Sequence, residues 1–342
     1  MDNNNISYVF GIDIALDSFT TRLVSNEREP KSISKNSETF SNNNKGLSKM
    51  LTWIDKQNID KSKTLFVMEA TNTYWESCAL YLNNRSLHVC VVNPAKIKYF
   101  AKSKLTRSKN DNIDAFVIAC YGAVNNPKLW NPPAPLLDEL RELSRRLSDL
   151  EKNVSQEKNR LRALDKKPIQ HNNIINDINE HISFLESKIE ELKIIFKEKI
   201  AQDKELYDSF NTLNDVKGIG FVTSSVLITE TWNFTVFEHK NQLTAYAGMN
   251  PCDNQSGSSK KGKSKMSKIG NPRIRSAVYM AALSASVYND NMNVFYNRLI
   301  KNNKTKKVAL VAVARKLLVL AFTLVSKKVK YDQNYVSVKP TI

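Results

Sequence analysis

In the first third of the chain, short apolar runs alternate with helically spaced ones. Tyr8-Val9-Phe10-Gly11-Ile12-Asp13-Ile14 reads as a buried strand that reaches an acid near its end, and residues 20–24 continue as a second strand. Leu65-Phe66-Val67-Met68-Glu69 repeats the design, again ending in an acid. Leu87-His88-Val89-Cys90-Val91-Val92 is a further buried strand, closed by Asn93-Pro94. Helical spacing over residues 46–57, 74–83 and 113–121 separates these runs. Strands alternating with helices predict an α/β layer fold.

The pattern then changes to a period of 3.5. Leu140, Leu143, Leu147, Leu150, Val154, Leu161 and Leu164 follow 3-4 spacing, with Glu157 at one skipped position. After Lys166-Lys167-Pro168 comes a second series, Ile178, Ile182, Leu185, Ile189, Leu192 and Phe196. Two such tracts around a proline break predict a coiled-coil helical hairpin, paired within the chain or with another chain. The last third is mostly helical, with helices over 221–229, 242–248, 273–288 and 307–325 and a polar loop over 250–270. The expected domains are therefore 1–128 (α/β), 129–205 (helical hairpin) and 206–342 (helical).

Charge changes this picture most. The 342 residues carry 51 Lys+Arg against 34 Asp+Glu, net +17. Residues 211–342 alone hold 20 basic and 6 acidic residues. Such an excess calls for a polyanion, either nucleic acid or an anionic membrane surface. The one apolar stretch long enough for a membrane, 308–325, carries Arg315 and Lys316 in its middle, so a protein-buried or nucleic-acid-facing helix is expected. Four cysteines without a CxxC pair and four histidines argue against a disulfide framework and a structural zinc site. The first residues lack the basic-then-apolar pattern of a signal peptide, so the expected location is cytoplasmic.

Four acids stand out by position. Asp13 and Glu69 sit at the C-terminal ends of apolar strands, where α/β sheets place ligands and reacting groups. Asp111 and Asp114, three apart at a helix start, share a face, although capping alone also favours acids there. Clustered carboxylates suit hard cations such as Mg²⁺, which serve phosphoryl transfer. Just before Asp111 runs a basic strip, Lys96, Lys98, Lys102, Lys104, Arg107 and Lys109, with Tyr99 and Phe100 interleaved and no acid from 93 to 110. Such a strip is a solvated face or a phosphate track. Lys217-Gly218-Ile219-Gly220 before a helix resembles a helix-hairpin-helix nucleic-acid contact, with Lys217, Gly218 and Gly220 as its elements. The segment Asn254-Gln255-Ser256-Gly257-Ser258-Ser259-Lys260-Lys261 sets serines among lysines; Lys260, Lys261, Lys263, Arg273 and Arg275 are candidate nucleic-acid contacts that could hold a phosphate near a serine nucleophile. No His–Asp pattern accompanies them, which disfavours a hydrolase triad.

Taken in order, these pieces resemble the DEDD transposases of bacterial insertion sequences, the "insertion sequence 110" family. The carriers are Phe10-Gly11-Ile12-Asp13, Met68-Glu69-Ala70-Thr71, Asp111-Asn112-Ile113-Asp114-Ala115, Val216-Lys217-Gly218-Ile219-Gly220, Tyr246-Ala247-Gly248-Met249-Asn250-Pro251, Gln255-Ser256-Gly257, Ile269-Gly270-Asn271-Pro272-Arg273-Ile274-Arg275 and Tyr279-Met280-Ala281-Ala282. The resemblance spans nearly the whole chain. It implies a RuvC-like (ribonuclease-H-type) N-terminal domain, a coiled coil and a C-terminal transposase domain. It further implies that Asp13, Glu69, Asp111 and Asp114 bind Mg²⁺ and that a serine, by motif position Ser256, attacks DNA to form a 5′-phosphoserine link. The implied partners are donor and target DNA, a structured bridge RNA and further copies of the chain, in a tetramer where one protomer's acids meet another's serine.

Two other readings account for part of the pattern. A metal-dependent, junction-resolving nuclease would use the same acids without serine chemistry. A non-catalytic nucleic-acid-binding coiled-coil protein explains the charge and the heptads, but leaves the strand-end acids without a role, since carboxylates repel phosphate unless a cation intervenes.

Overall fold

A computed structural model of the chain describes residues 6–33, 37–71, 73–104, 111–169, 171–256 and 260–333, with the backbone alone described at 111, 253–256 and 260–264. The chain forms two compact units, residues 1–132 and 133–342.

The first unit contains β1 (Tyr8–Ile14), β2 (Ser18–Ser25), β3 (Glu38–Ser41), α1 (Asn44–Lys56), β4 (Thr64–Glu69), α2 (Glu76–Asn83), β5 (His88–Val92), α3 (Pro94–Ser103) and α4 (Asp111–Asn125). They build one sheet in the order β3-β2-β1-β4-β5. The strand β2 runs antiparallel to both its neighbours, β1 and β3, while β4 and β5 run parallel to β1 through helical crossovers. Both faces are covered, which is why the central strands read as continuous apolar runs rather than alternating ones. Phe10, Ile12, Ile14, Phe66 and Met68 pack on one face with Leu47, Met50 and Ile54 of α1 and Cys78, Ala79 and Leu82 of α2. Val9, Leu65, Val67, Cys90 and Val92 pack on the other with Ile97 of α3 and Val117, Ile118 and Ala119 of α4.

The second face depends on two glycines. A Cβ on Gly11 would lie 2.2 Å from the Ala115 carbonyl oxygen and 2.4 Å from the Ala119 nitrogen. A Cβ on Gly122 would lie 2.6 Å and 2.8 Å from the side chains of Val67 and Val9. Thus Gly11 opposes residues 115–119 while Val9 opposes residue 122, and α4 runs antiparallel to β1. At Gly11 the obstacle is helix backbone, which cannot rotate away. Gly11→Ala is therefore expected to destabilise the protein by about 1–3 kcal/mol, the usual cost of overpacking, and by more than Gly122→Ala. Denaturant melts of the two variants check the order.

The second unit contains α5 (Pro135–Leu164), α6 (Asn172–Ile200), α7 (Lys204–Asn214), α8 (Phe221–Glu230), α9 (Lys240–Tyr246), β6 (Pro251–Ser256), β7 (Lys260–Met266), α10 (Pro272–Tyr288), α11 (Asp290–Lys301) and α12 (Lys306–Lys327). The helices α5 and α6 pair with each other within the chain. Leu147, Leu150 and Val154 meet Ile178, Ile182, Leu185 and Ile189 in one buried cluster. Exposed ion pairs Lys158–Glu186 at 2.7 Å and Lys199–Glu139 at 2.8 Å accompany the antiparallel pairing. Glu157, the polar residue in the heptad series, is buried and paired with Arg160 at 2.5 Å.

The ends of these two helices leave that seam. Leu140 of α5 and Phe196 and Ile200 of α6 join a larger core with α7, α8, α10 and α12. The helical hairpin and the helices after it therefore share one continuous core. Among the described residues α12 is the one helix long and apolar enough to cross a membrane. Its Val313, Ala314, Leu317, Leu318 and Ala321 are instead fully buried in the helical core. The polar loop expected over 250–270 is largely the β6–β7 ribbon.

Candidate active site

The parallel register pairs Gly11 with Val67 and Ile12 with Met68. The next residues along are Asp13 and Glu69, so the two carboxylates leave adjacent strand ends, about 4.8 Å apart across the sheet. Alternation puts Asp13 on the same face as Val9 and Gly11, and Glu69 on the same face as Leu65 and Val67. This is the face that α4 covers. From Gly11 to Asp13 the strand advances about 6.6 Å. From Ala115 back to Asp111 the antiparallel helix retreats about 6 Å. The first turn of α4 is thus level with Asp13, and position 111 lies on the stripe of Ala115, Ala119 and Gly122 that faces the sheet. Asp13, Glu69 and Asp114 are all half-buried. The Thr71 hydroxyl donates to Glu69 Oε1 at 2.8 Å, holding that carboxylate. The Asp111 side chain lies outside the described residues. Among the described residues no three metal-ligating side chains gather. The donor set at this edge is nevertheless all carboxylate oxygen, the chemistry that a hard divalent cation takes.

The basic strip is a helix. Asn93 caps α3 by accepting from the Ala95 N–H at 2.8 Å, and Pro94 supplies its first turn. Lys96, Lys98 and Lys102 are exposed along it, and Lys104 follows as its C-cap with Nζ 5.8 Å from the Phe100 ring centre. Arg107 and Lys109 lie outside the described residues.

In the second unit the motif residues build the root of the β6–β7 ribbon. The Asn271 N–H donates to the Tyr246 carbonyl at 2.7 Å, that of Lys268 to Gly248 at 3.0 Å, and that of Ser267 to Asn250 at 2.9 Å. Gly248 and Gly270 have φ of 66° and 144°. A Cβ on Gly270 would stand 2.2 Å from the Tyr246 carbonyl oxygen, so only glycine allows the two chains to cross there. Ser256 is the last residue of β6, registered opposite Lys260. The side chains of Ser256, Lys260, Lys261 and Lys263, and all of Ser258 and Ser259, lie outside the described residues. Arg275 donates to the carbonyls of Ala247 at 2.8 Å and Gly270 at 3.0 Å, and so braces this crossing. Burial pushes its pKa down from the usual arginine value. Arg273 is half-exposed with Nη1 3.7 Å from Asp149.

Gly218 also has a packing role: at φ 102° its Cβ would meet Ala285 of α10 at 2.5 Å. Lys217 and Gly220 are exposed at the start of α8. A buried network that the sequence reading did not single out lies beneath the ribbon. Glu230 accepts from Arg145 Nε at 2.9 Å and from Asn271 Nδ2 at 2.8 Å. Asn271 in turn caps α10. Burial raises the Tyr246 hydroxyl pKa, with the Asn271 hydrogen bond opposing that shift. Glu230 ends a helix of apolar and hydroxyl residues, a position that reads as an ordinary C-terminus until Arg145, 85 residues away in sequence, is packed against it.

Comparison with known families places the chain. A family model described as "Transposase", the DEDD type of insertion sequence IS110, matches residues 10–165. A second, described as "Transposase IS116/IS110/IS902 family", matches residues 211–297. The chain belongs to this transposase family. Membership implies DNA binding and a divalent metal. The transposase is 29% identical to the "Pilin gene-inverting protein" of Moraxella bovis, over 95% of this chain and 97% of that protein. The Moraxella lacunata protein of the same name is also 29% identical, with the same coverage. It is 26% identical to an "Insertion element IS110 uncharacterized 43.6 kDa protein" of Streptomyces coelicolor, over 36% of this chain and 30% of that one. Among solved structures it is similar to Thermus thermophilus RuvC, with 11% identity and a TM-score of 0.28, covering 36% of this chain and 99% of that one.

Proposed function

We propose that this transposase cuts and rejoins DNA strands at the ends of a mobile or invertible element, in two chemical stages. The reading rests above all on the neighbouring strand ends of Asp13 and Glu69, on the one sheet face that α4 closes with Asp111 and Asp114 in its first turn. In this reading the four acids, in a RuvC-like domain, hold Mg²⁺, which when bound supplies charge stabilisation for attacking and leaving oxygens. Ser256 attacks a DNA phosphorus, its hydroxyl proton is lost to solvent or a nearby base, and the bond to the 3′ oxygen breaks. The result is a 5′-phosphoserine link and a free 3′ hydroxyl. Attack by a 3′ hydroxyl of another strand on that link releases the serine and joins the strands, so atoms balance without an added energy source. A bridge RNA selects donor and target, and copies of the chain assemble as a tetramer. Inversion, in the manner suggested by the name of the Moraxella proteins, is the same exchange between two sites of one molecule.

The runner-up is a metal-dependent nuclease using the acids alone. Incubating the transposase with element-end DNA, its RNA and Mg²⁺, then denaturing, separates the two. A covalent protein–DNA band supports the recombinase, whereas cleavage without that band replaces it with the nuclease.

The charge excess yields a quantitative expectation. Binding of the full chain to duplex DNA should weaken steeply with salt, with a log–log slope of about −0.9 for each phosphate neutralised. A titration giving a slope near zero would mean that the excess over residues 211–342 serves solubility instead.

A further inference from the structure

We propose that the outward face of α3 binds single-stranded DNA, with Tyr99 as a platform for one unpaired base and Lys96, Lys98 and Lys102 as phosphate contacts. The proposal rests on reading Asp13 and Glu69 as a DNA-processing site, and it adds a residue and a strand state that this reading does not contain.

The helix sorts two consecutive aromatic residues to opposite sides. Phe100 packs inward, its ring edge-on to Tyr121 at 5.5 Å, beside the buried Ile97. Tyr99, one step of about 100° earlier, points outward and is 56% exposed. Lys96 and Lys102 lie three residues to either side of it, on the same face, and Lys98 adjoins it. No acid occurs on the helix. Three ammonium groups around an uncovered ring repel one another until a polyanion covers them, and the ring offers what lysine cannot, a surface for stacking.

A duplex keeps its base faces inside the stack, out of reach of a ring on a convex helix. A single strand presents both phosphates and open base faces, so this pairing of residue types fits it better. Placement supports the choice. α3 starts two residues after Val92, which is registered opposite Glu69. A strand lying along α3 therefore leads to the sheet edge where Asp13 and Glu69 stand. An acidic peptide would satisfy the lysines but would leave the ring uncovered.

The test is photocrosslinking of the full chain to a thymidine oligonucleotide of about 12 nucleotides carrying one 4-thiothymidine, with the adduct mapped by mass spectrometry. The expected adduct is on the peptide containing Tyr99. Its yield should fall about tenfold when the oligonucleotide is made duplex, fall about as far in Tyr99→Ala, and persist in Tyr99→Phe. Tyr99 is exposed, so these changes leave the core untouched. The adduct should also persist in Asp13→Asn, so failure of the acid assignment remains distinguishable from failure of this one. An adduct absent from that peptide, equal with duplex, stronger with the matching RNA, or unchanged in Tyr99→Ala overturns the proposal.

Discussion

Ser256→Ala is expected to keep DNA and RNA binding and to form no covalent protein–DNA adduct. A serine hydroxyl is a weak nucleophile without activation. No histidine is close to Ser256 in sequence, the nearest being His239 on a separate segment. In the proposed reaction, activation and charge neutralisation would fall to lysines, arginines and a divalent cation. The position of Ser256 adds a structural reason. It ends β6, a strand whose root is clamped by the Gly248–Gly270 crossing, and Lys260 is its registered neighbour. Ser258→Ala and Ser259→Ala should retain adduct formation. An adduct that survives in Ser256→Ala, or disappears in Ser258→Ala alone, moves the nucleophile to another serine. A denaturing gel with labelled DNA reads all three variants.

The second large effect is expected in the first unit. Asp13→Asn should reduce Mg²⁺-dependent cleavage by about a hundredfold to a thousandfold, since metal-ion charge stabilisation amounts to several kcal/mol and each 1.36 kcal/mol is a factor of ten. The swap removes charge but little volume, so thermal stability should change little. Glu69→Gln should behave alike, because both carboxylates leave neighbouring strand ends on one face. Full activity in both variants would remove the acids from the reaction. If Asp13→Asn blocks cutting while no serine change matters, the nuclease reading takes over.

Most of the first unit's strands and helices were legible in the chain because their signals are local. Runs such as 8–12 and 65–68 are apolar throughout, and only strands covered on both faces need to be. Residues 113–121 gave the centre of α4, and the structure extends it to Asp111–Asn125. The strand β3 escaped notice because its four residues are mostly exposed and carry no apolar pattern. The helix α3 escaped because its inward face is only Ile97, Phe100 and Ala101, and lysines dominate the rest. The hairpin β6–β7 read as a loop because lysine, serine and glycine favour neither strand nor helix. Its pairing is stabilised instead by a root made of distant residues, Tyr246 to Asn250 against Ser267 to Asn271.

By itself the sequence determined the basic character of the chain, most strands and helices of its first unit, the strand-end positions of Asp13 and Glu69 and the family motifs. These follow from residue type and spacing along one dimension. Only the tertiary structure decided that the heptad tracts pair with each other, because an apolar stripe attracts any matching stripe and the short link at residues 165–171 does not select the partner. It alone decided that Gly11 and Gly122 let α4 approach the sheet with its first turn at Asp13, since that depends on contacts about 100 residues apart. The same holds for the hydrogen bonds of Arg275. Its Nη1 holds two backbone carbonyls at the ribbon root, and a guanidinium's charge identifies it in a sequence without revealing which acceptor folding will bring to it.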